Sequence, residues 1–183
     1  SLTLLFGCSE PKQGLPTTSS SVANSSTSEG QQVSESARLN EWFEEKYEQQ
    51  VMMSPIQLTT LGRKERYGEI DDLSQQAQNA QFEWLQATVD ELKSTFDYEK
   101  LDVNAKISYD LWIYTFDVAK NTQRFQTSSY IFDQMTAVQA QLPNMLINFH
   151  KVESEQDMLD YISRVKGISR AIDQLVVISK VNA

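Results

Sequence analysis

Hydrophobic residues recur with the period of an α-helix along most of the chain, and the stretch 102–124 carries two such stripes side by side. The stripes consist of Tyr109, Trp112, Phe116 and Ala119, and of Ile107, Leu111, Tyr114 and Val118. The polar strip that remains is narrow and contains Lys106, Asp110, Asp117 and Lys120. A helix that is apolar around most of its circumference is usually buried in a bundle. We therefore predict that the rest of the chain packs around this helix.

Residue types that favour helix N-termini predict where the other helices begin. Ser, Asp and Pro are favoured at helix N-termini, and the residue before a proline disfavours the helical conformation. The predicted cap or first residues are Ser36, Pro55, Ser74, Asp102, Pro143 and Ser154. The helix after Ser154 carries a regular apolar stripe at Leu159, Ile162, Val165 and Ile168. The alternation of period two that marks a strand is never sustained. The predicted fold class is all-α, an irregular bundle of about six helices.

The first eight residues resemble the end of a bacterial lipoprotein signal peptide. An apolar run ends in Gly7-Cys8, with Leu5 three positions before the cysteine. In such a lipobox the cysteine is acylated and becomes the mature N-terminus. The alternative is an apolar terminus with a stray cysteine. We predict lipid attachment at Cys8, and hence a membrane partner through the lipid.

The segment 9–35 is predicted to be a disordered tether. Between Thr17 and Ser36, 11 of 20 residues are Ser or Thr. Such a segment cannot bury enough apolar surface to offset the entropy of ordering it. Residues 36–183 then form the helical domain, or the N-terminal segment of a larger one. Ser9 after the cysteine fits sorting to the periplasmic face of the outer membrane.

Charge and cysteine content exclude several classes of function. The net charge is −9, and the basic residues are scattered, which disfavours a nucleic-acid partner because phosphate binding needs clustered Lys and Arg. The chain contains one Cys and one His. An internal disulfide is therefore impossible, and a zinc site built within this chain is disfavoured. No span approaches the roughly 18 apolar residues of a transmembrane helix.

Few side chains suggest chemistry. His150 could serve as a metal ligand or general base, but a histidine near a helix C-terminus is also favoured there by the helix dipole. A loose acidic cluster at Asp97, Glu99, Asp102 and Asn104 could bind calcium, or could be a solvated connector with an N-cap. Glu153, Glu155, Asp157 and Asp160 suit a helix N-terminus. Asp110 and Asp117 suggest ion pairs with Lys106, Lys120 or an arginine of a neighbouring helix, or a catalytic dyad. We assign no catalytic, cofactor-binding or metal-binding residue.

Several patterns occur in an order that resembles a known family. They are WFEEKYEQQVMMSPIQLTTLG, the loop from Tyr67 to Ser74, the helix with Tyr109-Asp110, and QLPNMLINFHKVESEQDMLDYISRVKGI. Together they resemble the N-terminal part of the bacterial proteins of domain-of-unknown-function family 885, from about Leu39 onward. A family pattern of the form DxxxYxxRLxxI corresponds to Asp157, Tyr161, Arg164, Val165 and Ile168, with valine in place of leucine.

This resemblance implies a function for the parent protein rather than for this chain. The family is mostly helical, is similar to zincin-like metallopeptidases, and includes many proteins that look like secreted lipoproteins. Its zinc motif, of the H-E-x-x-H type, lies downstream of the matched region, and no residue here corresponds to it. Zinc and a peptide substrate are thus expected in the full-length parent. The alternative is a non-catalytic periplasmic helical binding or scaffold module.

Overall fold

A computed structural model describes residues 33–123, 125, 131–134 and 137–181 of the chain. These residues form six α-helices and one short 3-10 helix, with no β-strand among them. The α-helices are α1 (Glu35–Met53), α2 (Pro55–Thr60), α3 (Gln75–Thr95), α4 (Val103–Gln123), α5 (Val138–Phe149) and α6 (Glu155–Val181), and the 3-10 helix is Tyr98–Lys100. The all-α prediction is confirmed. The predicted lipobox with Cys8 and nearly all of the predicted tether lie outside the described residues.

Helix starts agree with the sequence in most cases. The predicted caps of α3, α4 and α6 each accept a hydrogen bond from the amide three residues on, at Ser74, Asp102 and Ser154. The prediction for α1 is wrong, because its cap is Ser34 and not Ser36. The hydroxyl of Ser36 is buried and accepts a hydrogen bond of 2.9 Å from the backbone N–H of Asp102. This bond joins the start of α1 to the start of α4.

The start of α5 differs from the prediction. Pro143 was expected to open a short helix, but α5 begins at Val138 and contains Pro143 in its interior. A proline at such a position removes one backbone hydrogen bond and crowds the preceding turn. Burial of Leu142, Met145 and Leu146 on the same helix offsets that cost, since each is at most 8% exposed.

One core lies between α1, α3 and α4. Its buried members are Leu39, Trp42, Leu92, Phe96, Leu101, Ala105 and Tyr109. The indole N–H of Trp42 donates to Oε1 of Glu91 over 2.7 Å, and Nζ of Lys46 lies 2.9 Å from Oε2 of the same carboxylate. Burial raises the pKa of Glu91, but the hydrogen bonds from Lys46 and Trp42 outweigh it and leave that pKa below its ordinary value. Glu91 thus joins α3 to α1.

A second core lies between α5, α6 and the loop that follows α2. Its buried members are Ile70, Leu142, Met145 and Ala171. Gly167 allows the close approach of α6 to this loop. A Cβ atom at position 167 would lie 3.0 Å from Cγ1 and 3.2 Å from Cβ of Ile70. The glycine therefore has a packing role inside a continuous helix of 27 residues.

The buried face of α6 is not the regular apolar stripe seen in the sequence. Leu159, Ile162 and Val165 are 54%, 46% and 50% exposed. The buried positions are instead Asp157, Arg164, Ala171 and Leu175, which recur at intervals of seven, seven and four. Two charged residues on the inner face made that face look polar in the sequence. The first half of the helix therefore turns two charged residues inward and leaves apolar residues in solvent.

Candidate functional site

The side chain of Arg164 is completely buried where α2, α6 and the loop after α2 meet. Its guanidinium donates to four acceptors, and none of them is a carboxylate. They are the backbone oxygen of Glu69 at 2.9 Å, the backbone oxygen of Pro55 at 3.1 Å, Oγ1 of Thr59 at 2.6 Å and Nδ1 of His150 at 3.1 Å. Burial lowers the pKa of Arg164 from its ordinary value. No carboxylate among the described residues forms an ion pair with it. The four hydrogen bonds therefore replace the water that would otherwise solvate this charge.

These bonds fix the tautomer of His150. Arg164 has donors but no acceptor, so Nδ1 of His150 must accept and carries no proton. The other ring nitrogen, Nε2, lies 2.9 Å from the backbone oxygen of Asp157, which can accept but not donate. The imidazole is therefore neutral, with its proton on Nε2. His150 lies at the C-terminal cap of α5, the position that the sequence predicted as the alternative to a metal ligand or general base, and its buried ring is bonded as a neutral group.

Tyr67 covers the other side of this pair. Its ring stacks on His150 with centroids 4.0 Å apart, and the guanidinium carbon of Arg164 lies 4.9 Å from the same ring centroid. The phenol donates to the backbone oxygen of Lys151 at 3.1 Å and accepts from its N–H at 2.7 Å. We call the set Thr59, Tyr67, His150 and Arg164 the buried polar centre.

Asp157 and Lys64 form the outer rim of this centre. Nζ of Lys64 lies 3.0 Å from Oδ2 of Asp157 and 3.0 Å from Oε2 of Glu153. The carboxylate of Asp157 also accepts a hydrogen bond from the backbone N–H of Glu153. The hydrogen bond from Lys64, followed by that from the amide of Glu153, lowers the pKa of Asp157 to about 2. The rim therefore binds the loop after α2 to the start of α6.

The side chains of this centre have a structural role. Both nitrogens of His150 and the hydroxyls of Tyr67 and Thr59 are already engaged in internal hydrogen bonds. His150 therefore does not fit a zinc ion, and it is not placed to act as a general base. In the part of the chain that the structure describes, no group of three or more His, Cys, Asp or Glu side chains could hold a metal. The centre instead ties α2, its loop, the end of α5 and α6 together.

The acidic candidates from the sequence have other roles. Oδ1 of Asp97 accepts from the backbone N–H of Glu99, and Asp102 caps α4, so both serve the connector between α3 and α4. The predicted pairs of Asp110 and Asp117 with Lys106 and Lys120 do not form. Lys106 instead lies 3.4 Å from Glu99, and Lys120 lies over the ring of Phe116. Asp110 accepts a hydrogen bond of 2.9 Å from the phenol of Tyr98.

The two apolar stripes of α4 have different environments. Phe116 is 5% exposed, and Trp112 packs against the core between α1, α3 and α4. Its indole N–H donates to Oγ1 of Thr88 on α3 at 3.2 Å. The other stripe faces solvent. We call its exposed members, with the neighbouring Val103, the open face of α4: Val103, Ile107, Leu111 and Tyr114, which are 74%, 61%, 42% and 64% exposed. The helix predicted to lie at the centre of the bundle therefore lies at its edge.

Comparison with known proteins identifies a family. The family model described as "Bacterial protein of unknown function (DUF885)" matches residues 55–182. The chain belongs to this family. The DUF885 match begins at Pro55, so it does not cover the α1 part of the resemblance seen in the sequence. It does contain the whole buried polar centre and the open face of α4.

Comparisons with curated proteins and with solved structures give no match. None of the helices in the described ranges is long and apolar enough to cross a membrane. DUF885 membership therefore rests on the family model. Sequence reasoning did not find the buried polar centre, although Arg164 stands in the family-like pattern DxxxYxxR. The spacing of seven residues from Asp157 to Arg164 to Ala171 is the signal that could have placed it on an inner face.

Proposed function

We propose that this chain is the N-terminal helical segment of a secreted, lipid-anchored bacterial protein that resembles zinc-dependent metallopeptidases. The zinc motif would lie outside this chain, because the residues described here do not fit a zinc ion. A zinc ion in such an enzyme supplies Lewis-acid activation of a water molecule. The segment described here would form a helical wall beside the catalytic part of the parent.

The open face of α4 is the observation that carries this proposal. Ile107 and Tyr114 lie on a helix whose opposite face is buried, yet both are more than 60% exposed. Covering an aliphatic or aromatic side chain contributes about 1.5–3 kcal/mol, so a helix edge of this kind favours a further packing partner. Further helices of a larger fold would supply that partner. DUF885 membership supports the same conclusion.

The buried polar centre has a defined role in this proposal. A wall that borders a cleft must hold its helices in fixed positions, and misplacement by about 1 Å can cost on the order of 100-fold in rate. Arg164 fixes α6 against α2 and its loop through hydrogen bonds that require its forked geometry. This centre would therefore act on catalysis through position alone.

The test is to read the gene beyond Ala183 and to purify its complete product. We expect an H-E-x-x-H-type helix, about one zinc ion per chain, and peptide hydrolysis that is lost when the glutamate of that motif becomes glutamine. An open reading frame that stops at Ala183, or continues without such a motif, contradicts the proposal.

Lipid attachment at Cys8, with localisation on the periplasmic face of the outer membrane, is a separate part of the proposal. Expression of the full precursor with Cys8→Ala should move the protein from the membrane fraction to the soluble fraction. The matched control is Ser9→Ala, which should remain in the membrane fraction. Membrane association that persists in the Cys8→Ala protein would contradict the lipid anchor.

A second candidate is a self-contained periplasmic helical binding or scaffold module. It is favoured by the two cores and the fully bonded polar centre within residues 33–181. This candidate predicts that the chain alone unfolds cooperatively with a near-UV circular dichroism signal from its buried aromatic residues. Loss of that signal with strong dye binding would argue against it.

A further inference from the structure

The open face of α4 has an acidic edge. Asp110 and Asp117 are seven residues apart, so they lie on the same edge of the helix, beside Tyr114 and Val103. Both are exposed. The opposite edge of the face carries Ser108 and Thr115, which are neutral. The apolar stripe is therefore bordered by negative charge on one side and by hydroxyl groups on the other.

Nearby cations do not neutralise this edge. Neither Asp110 nor Asp117 forms an ion pair with another residue that the structure describes. Lys106 turns to Glu99, with its Nζ also 4.8 Å from the ring centroid of Tyr98, and Lys120 lies over Phe116. The acidic edge is thus available to a partner that brings positive charge.

A second copy of this chain does not match that edge. In an antiparallel pair of α4 helices joined through this stripe, like edges face each other, and the aspartates of the two copies would approach one another. In a parallel pair the acidic edge would face the Ser108 and Thr115 edge of the other copy. Neither arrangement provides a cation for Asp110 or Asp117.

We infer that the open face of α4 binds an amphipathic helix with an apolar stripe and a Lys- or Arg-bearing edge that aligns with Asp110 and Asp117. The inference rests on the proposed function for the source of this helix, which is the remainder of the parent protein. The chemistry of recognition depends on this chain alone. Apolar contact with Ile107, Leu111 and Tyr114 supplies affinity, and the acidic edge selects the partner and fixes its orientation.

Three designed helical peptides test the inference on the 183-residue chain. They share one leucine stripe and differ along one edge, which carries Lys, Gln or Glu. Binding is measured by fluorescence anisotropy. Two exposed ion pairs contribute about 0.2–1 kcal/mol each, so the Lys peptide should bind about 2- to 30-fold more tightly than the Gln peptide at low salt. The Glu peptide should bind most weakly. Salt at about 0.5 M should remove most of the difference.

Variants of the chain separate the apolar and the charged contributions. Leu111→Asp should abolish binding of all three peptides, while Ile162→Asp, on the exposed stripe of α6, should leave binding unchanged. The double variant Asp110→Asn/Asp117→Asn should still bind but should no longer prefer the Lys peptide. Unchanged near-UV circular dichroism spectra confirm that each variant is folded.

Several outcomes overturn the inference. They are equal binding of the three peptides, no binding of the Lys peptide, or binding that survives Leu111→Asp. Sedimentation as a dimer that Leu111→Asp dissociates would identify a second copy as the occupant and would also overturn it. Failure of the proposed function is distinguishable, because a gene that ends at Ala183 would leave the peptide preferences intact.

Discussion

Arg164 donates a hydrogen bond of 3.1 Å to Nδ1 of His150, so a charged group on α6 is solvated in part by the neutral ring at the end of α5. Both side chains are buried, with exposures of 0% and 6%. The bond fixes the histidine as the Nε2–H tautomer and removes it from any acid–base role. It also adds a polar link between the end of α5 and α6 to the apolar core that these two helices share.

Loss of the Arg164 guanidinium group should destabilise the fold. Arg164→Met leaves the oxygen of Glu69 and Nδ1 of His150 without their donor. It also removes one hydrogen bond each from Thr59 and from the oxygen of Pro55, which remain bonded to each other. Each unsatisfied buried polar group costs about 1–3 kcal/mol, and the relief of burying a charge offsets part of that sum. We expect a loss of about 3 kcal/mol in the free energy of unfolding, measured by urea denaturation.

Two further variants control this experiment. Arg164→Lys keeps the charge but cannot reach the same acceptors, so it should be nearly as destabilising as Arg164→Met. Arg170→Met removes an exposed arginine whose shortest hydrogen bond, 2.8 Å, goes to the backbone oxygen of Ile70. It should cost less than about 1 kcal/mol. Equal effects of the Arg164 and Arg170 variants would contradict the assigned role.

The tautomer of His150 can be observed directly. The chain contains one histidine, so the imidazole nitrogen signals in a ¹⁵N NMR spectrum need no assignment. At neutral pH we expect the pattern of a neutral ring protonated on Nε2. The Arg164→Met protein is the comparison, because loss of the donor frees Nδ1 and should shift its resonance. A Nδ1–H tautomer or an imidazolium in the native protein would contradict the hydrogen bonds described above.

Asp157 should make stability depend on pH in the acidic range. Its pKa is lowered to about 2 in the folded protein from an ordinary value of 3.8, chiefly by Lys64. A lowered carboxyl pKa stabilises the fold above the unfolded value, and this contribution is lost as pH falls from about 4 to about 2. The difference in melting temperature between the native protein and Asp157→Asn should therefore shrink across that window.

A paired variant isolates the rim of the buried polar centre. Lys64→Met removes the main cause of the shift, so it should move the acidic transition of Asp157 towards its ordinary range. Asp97→Asn serves as the control, because the pKa of Asp97 is also lowered but this residue lies outside the rim. It should leave the acidic transition of Asp157 in place. A constant difference between the native and Asp157→Asn proteins from pH 5 to pH 2 would show that Asp157 does not titrate in this way.

The sequence predicts the helices well because their signals are local. The caps at Ser74, Asp102 and Ser154 need only a side-chain oxygen and a free amide in the next turn. Pro143 misleads for the opposite reason: its place inside α5 depends on the burial of Leu142 and Leu146 against other elements. Tertiary packing overrides the local preference there.

Which side of each helix is buried was much harder to predict from the sequence. On α6, hydrophobicity indicates Leu159, Ile162 and Val165, whereas the inner face contains Asp157 and Arg164. The seven-residue spacing can indicate an inner position for Arg164, but its hydrogen-bond acceptors, apart from His150, are 95 to 109 residues away in the chain. The buried polar centre was therefore not visible in the sequence.

On α4 the two apolar stripes are nearly equal in the sequence, and the expectation that the rest of the chain packs around both of them is wrong. Trp112 and Phe116 are covered from within the chain. Ile107, Leu111 and Tyr114 lie in solvent instead. Which stripe is covered depends on how α1 and α3 approach α4, and the pattern of a single helix does not contain that information.

Thiol labelling at position 111 measures whether the open face of α4 is covered in the parent protein. In a Cys8→Ala background, Leu111→Cys provides the one cysteine of residues 1–183, and Glu44→Cys on the exposed side of α1 provides the control. We predict that position 111 reacts rapidly with a maleimide in the 183-residue chain and at least about tenfold more slowly in the complete gene product, where access requires local opening. Position 44 should react equally in both. Equal rates at position 111 in the two proteins would show that the open face of α4 stays exposed in the complete gene product.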